Sequence, residues 1–107
     1  MYTVKIMLDF LHGPIWVYSS NDVPLLNPPE LFKDPILVNL NEQAENMFSS
    51  YYEFNSHGVA CWFNEEKEKE EKEIMLDLIT RIIARLNEIN DGSFVINDCA
   101  SEYLKNL

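Results

Sequence analysis

The side chains with the most chemistry to offer are two histidines, His12 and His57, and two cysteines, Cys61 and Cys99. His57 precedes Cys61 by four residues, which raises the question of a thiol–imidazole pair. Such a pair needs a third group to orient the imidazole and a cleft open to solvent. Cys61 instead sits in an apolar, strand-like run beside Trp62, where an inert thiol is the usual outcome. The separations among the four residues (4, 38 and 45) match no zinc spacing, so no metal site is expected. A second constellation, Asp9, His12 and Trp16, gathers around a turn and defines an alternative reading as a small enzyme or ligand-binding domain. The three glycines stand at apparent turns and form no phosphate-cradling loop. We therefore expect no catalytic residue and no cofactor.

Charge is more informative than any motif. Against 18 Asp and Glu the chain has 8 Lys and Arg, a net charge of −10. That balance repels phosphate backbones and anionic membranes and speeds encounter with a basic partner. No apolar stretch approaches the roughly 20 residues a membrane span requires. Residues 1–5 lead into a short apolar run interrupted by Asp9, unlike a secretory leader, and two cysteines make no disulfide framework; a cytoplasmic location is expected.

The conspicuous acidic block, residues 65–73 (EEKEKEEKE), holds six Glu and three Lys and so contributes only −3. Its mixed signs at four-residue spacing read as a solvated helix surface. The window between Lys33 and Lys67 differs, because it contains no basic residue. It holds Asp34, Glu42, Glu45, Glu53, Glu65 and Glu66 together with Phe48, Tyr51, Tyr52, Phe54, Trp62 and Phe63. Acid interleaved with tyrosine suits a protein interface, since tyrosine supplies contact area at low entropic cost and carboxylates pair with Lys or Arg. The plainer alternative makes Phe48, Tyr51, Trp62 and Phe63 core and the glutamates ordinary wet surface. The candidate partner-binding residues are Glu42, Glu45, Tyr52, Glu53 and His57, with Glu30 and Asp34 at the margin.

The elements that must position these residues follow from pattern. Residues 2–10 alternate, His12-Gly13-Pro14 turns, and residues 15–18 return, which predicts an antiparallel hairpin. Pro24, Pro28 and Pro29 exclude regular structure over most of residues 23–33. Asp34-Pro35 predicts a helix start, and Leu37, Leu40, Ala44, Met47 and Tyr51 carry a buried stripe to about residue 52. Glu42, Glu45 and Ser49 fall opposite that stripe, with Tyr52 and Glu53 continuing their side. Residues 59–63 predict a short central strand. Asn64 caps a long helix whose stripe is Met75, Leu78, Ile79, Ile82, Leu86 and Ile89 and which stops at Asn90-Asp91-Gly92. Residues 94–96 predict a fourth strand and residues 100–107 a short terminal helix. The expectation is one α+β domain spanning residues 1–107, with a roughly four-stranded, mainly antiparallel sheet covered by two main helices.

This profile, with the segments SSYYEFNSHG (residues 49–58) and RLNEINDGSF (residues 85–94), resembles the immunity proteins of bacterial polymorphic-toxin and contact-dependent growth inhibition systems. The resemblance covers the whole chain as a type. It implies a small cytoplasmic binding protein that neutralises a cognate toxin domain, frequently a basic nuclease, by covering its active site or substrate surface. A third reading is a structural subunit that self-associates through its second or terminal helix.

Overall fold

The computed structural model describes residues 2–9, 12–24, 33–54 and 61–107. In chain order the elements are β1 (Tyr2–Ile6), β2 (Ile15–Tyr18), α1 (Pro35–Ser49), β3 (Tyr52–Phe54), β4 (Cys61–Phe63), α2 (Glu65–Glu70), α3 (Lys72–Ile89), β5 (Phe94–Asp98) and α4 (Ala100–Lys105). The class is α+β, but the strands divide into a three-stranded sheet of order β2-β1-β5 and a separate β3-β4 ribbon. β1 and β2 form the expected antiparallel hairpin, with Val4 opposite Val17 and Ile6 opposite Ile15. β5 joins β1 in parallel, placing Ile96 beside Val4.

Alternation sends Val4, Ile6, Ile15, Val17 and Phe94 to one face of the larger sheet. There they meet Leu37, Ala44 and Phe48 of α1, Met75, Leu78, Ile79, Ile82 and Leu86 of α3, and Ala100 and Leu104 of α4. The hairpin is also pinned to α1. Gly13 is buried where any β-carbon would overlap the Asn41 amide, and Asn41 Oδ1 accepts the Ile15 N–H at 3.2 Å. Glycine is needed here for close approach.

Three expectations are corrected. The first helix ends at Ser49 rather than about residue 52: the Tyr51 N–H turns back to Phe48 O, a three-residue bond that tightens the last turn, and the Tyr51 side chain is fully buried. Tyr52 and Glu53 therefore belong to β3 and do not continue the helical face. Of the strand expected over residues 59–63 at the centre of one sheet, residues 59 and 60 lie outside the described residues, and Cys61–Phe63 pairs among the described residues with β3 alone, with Tyr52 opposite Phe63 and Glu53 opposite Trp62. A central strand buries both faces, whereas Trp62 remains 50% exposed while Phe63 packs against Phe48, Tyr51 and Tyr52. The long helix is interrupted at Glu71, whose φ and ψ of −97° and 7° separate α2 from α3.

Both anticipated helix starts form. Asp34 accepts the Leu37 N–H at 2.9 Å and Asn64 accepts the Lys67 N–H at 3.0 Å. The anticipated stop forms too, with Gly92 at φ 96°. Among the described residues no helix is long and apolar enough to cross a membrane.

Candidate partner-binding surface

The acidic candidates divide according to whether the fold already uses them. Asp34 is used: besides capping α1, its carboxylate takes Arg85 Nε at 3.0 and 3.2 Å and also pairs with Arg85 Nη2. The Arg85 guanidinium and the Leu37 N–H hold its carboxyl below the usual carboxylate range. With a side chain only 11% exposed, Asp34 joins the start of α1 to α3 rather than waiting for a partner. Glu42 is exposed and Glu45 half-buried on α1, within one turn of each other on a flank away from Leu37, Leu40 and Ala44. Tyr52 is half-buried, edge-on to Phe48 and Phe63. Glu30 and His57 lie outside the described residues.

Glu53 stands on the outer face of the β3-β4 ribbon, directly opposite Trp62. Its Oε2 accepts Asn64 Nδ2 at 3.2 Å, and Asn64 is itself fixed as the cap of α2. Glu65 and Glu66 follow in the first exposed turn, where the helix dipole favours their charge. The nearest cation on that helix, Lys67, is turned elsewhere, its Nζ 6.0 Å from the Tyr51 ring centroid. Ion pairs among the described residues join Lys5 to Asp22, Arg81 to Asp77, and Arg85 to both Asp34 and Glu88. None involves Glu42, Glu45, Glu53, Glu65 or Glu66. These carboxylates carry much of the excess charge and stand outside every ion pair among the described residues.

The run at residues 65–73 is not wholly solvated. Glu68 is 2% exposed, because α4 lies over it and the Tyr103 hydroxyl donates to its Oε2 at 2.7 Å. The burial comes from a contact 35 positions along the chain, beyond the reach of local periodicity. Burial, then the bond to Glu68 and its charge, push the Tyr103 phenol well above its ordinary range. Tyr51 is pushed up likewise by burial and by the charges of Glu71 and Glu68; its hydroxyl has no hydrogen-bond partner among the described residues.

The plainer alternative, with Phe48, Tyr51, Trp62 and Phe63 all in the core, fails at Trp62, which is half exposed. Strand alternation carried the contrary signal, since Trp62 and Phe63 cannot face the same side. Around the alternative cleft, His12 stacks on Trp16 at a 3.7 Å centroid separation, and its Nδ1 lies 2.6 Å from Gly13 O. Trp16 Nε1 donates to Met7 O at 3.1 Å. These contacts serve the turn. A groove of about 300 Å³ elsewhere is lined by Met7, Leu8, Phe48, Cys99, Ala100 and Tyr103. Among the described residues no three His, Cys, Asp or Glu side chains are grouped to hold a metal ion.

No protein-family model matches this chain, and no curated protein matches it.

Proposed function

We propose that this chain is an acidic binding protein that neutralises a cognate toxin domain, a basic nuclease, by occupying the surface that receives its substrate. The observation that supports this reading is the set of carboxylates on α1 and beside the exposed Trp62 that join no ion pair among the described residues, in a molecule whose other acids are in part tied into ion pairs. A nuclease holds phosphates with clustered Lys and Arg; carboxylates presented at matching positions compete for those cations, and aromatic area adds desolvated contact. Inhibition of this kind needs no chemistry from the chain itself. Glu42, Glu45, Tyr52, Glu53 and His57 are its proposed contacts, with Glu30 at the margin, in the bacterial cytoplasm.

The test is co-expression with the domain encoded by the adjoining gene. That domain expressed alone should arrest growth, and this chain should restore growth and co-elute with it at low salt. An adjoining metabolic enzyme whose activity this chain leaves unaltered, or a toxic domain that it neither binds nor relieves, overturns the proposal.

A further inference from the structure

Resting on the reading of this chain as a binder of basic protein, we infer that Trp62 and Glu53 form a receptor for one arginine side chain of the partner. The two residues are directly opposed across the ribbon, which places their β-carbons about 5 Å apart on one face. Trp62 is the most exposed of the Phe, Tyr and Trp side chains among the described residues and presents ring surface to solvent. Glu53 is held in place before any partner arrives: Asn64 grips Oε2, while the N-cap bond from Lys67 fixes Asn64. No hydrogen bond among the described residues engages Glu53 Oε1. A preorganised carboxylate loses little side-chain entropy on binding.

This geometry favours guanidinium over ammonium. A planar guanidinium stacks on the indole and still directs in-plane N–H groups at a carboxylate beside the ring. An ammonium is more strongly hydrated and is a point charge, so it satisfies the carboxylate without needing the ring. Glu65 and Glu66, one and two residues past the cap, add negative potential that draws the cation in. Lys67, the one base on α2 near the cap, is directed to the Tyr51 side and does not compete.

The experiment is calorimetric titration of the whole chain with hexa-arginine and with hexa-lysine at low salt. Indole N–H resonances of Trp16 and Trp62 are followed in parallel by NMR. Hexa-arginine should bind about five-fold tighter or more, moving the Trp62 resonance and leaving Trp16 still. Glu53→Gln and Trp62→Leu, each checked for fold by circular dichroism, should each abolish that preference. Equal binding of both peptides, unchanged in both variants and lost in Glu42→Lys/Glu45→Lys, overturns the arginine receptor and leaves the acidic-binder reading standing. Failure of both peptides to bind overturns both.

Discussion

The three-stranded sheet with α1, α3 and α4, and the β3-β4 ribbon with α2, use the same kinds of residue to opposite ends. In the first, apolar stripes meet an alternating sheet face, and the charges at its margins are paired: Lys5 with Asp22, Arg85 with Asp34. In the second, two three-residue strands anchor one side through Tyr52 and Phe63. The other side carries an exposed tryptophan and carboxylates that join no ion pair among the described residues. The larger region supplies stability, and the ribbon, positioned by a helix cap, supplies surface.

The two regions differ most in stability, read by urea unfolding. Ile82→Ala, which empties a fully buried site on α3, should cost about 3 kcal/mol, and Trp62→Ala less than about 0.5 kcal/mol. Equal costs would mean that the ribbon is part of the core. Gly13→Ala comes next, at about 1.5 kcal/mol, because its methyl displaces Asn41 and deprives the Ile15 N–H of its acceptor. An unchanged unfolding midpoint would show that the hairpin is not pinned to α1.

Tyr103→Phe removes a donor from the buried Glu68, at a cost of about 1 kcal/mol, reduced by the 45% exposure of Tyr103. The raised phenols of Tyr51 and Tyr103 give a matching pH signature. A raised folded pKa favours the protonated form in the native state, so this contribution is complete below the unfolded value of 10.0 and declines as pH climbs above it. Tyr103→Phe should lessen that alkaline decline. Asp34 acts with the opposite sign: its lowered pKa stabilises the fold above the unfolded value of 3.8 and is lost as pH falls through the folded one. Asp34→Asn keeps a capping oxygen but removes the charge paired with Arg85, so it should lower Tm by roughly 4 °C at pH 7 and make melting less pH-dependent in acid. Equal losses at pH 7 and pH 2.5 would show that the pairing with Arg85 is not what stabilises.

Local rules made most of the larger region legible. The α3 stripe, the Asp34-Pro35 start, the Gly92 stop and the turn at Gly13 are set by neighbours within a few residues, as is the Asn64 start of α2 beside the ribbon. The ribbon was not legible in the same way, because Tyr51 fits the three-and-four spacing of α1 as well as it fits a turn. Only partners distant in sequence decide between them: Asn64 N–H donates to Tyr51 O, and Phe63 packs on Tyr52. Of the candidate surface, the base-free window was visible in the composition. That Asp34 belongs to Arg85, 51 residues away, and that Glu68 belongs to Tyr103 depended on tertiary contact.

If carboxylates on α1 and the ribbon receive a basic partner, association kinetics will report it. The rate should be measured against ionic strength with the toxin domain from the co-expression experiment, for wild type and for Glu42→Lys/Glu45→Lys/Glu53→Lys. We predict association about ten-fold slower or more at low salt in the variant, with a flattened salt dependence. A rate and salt slope equal to those of the wild type would contradict the claim.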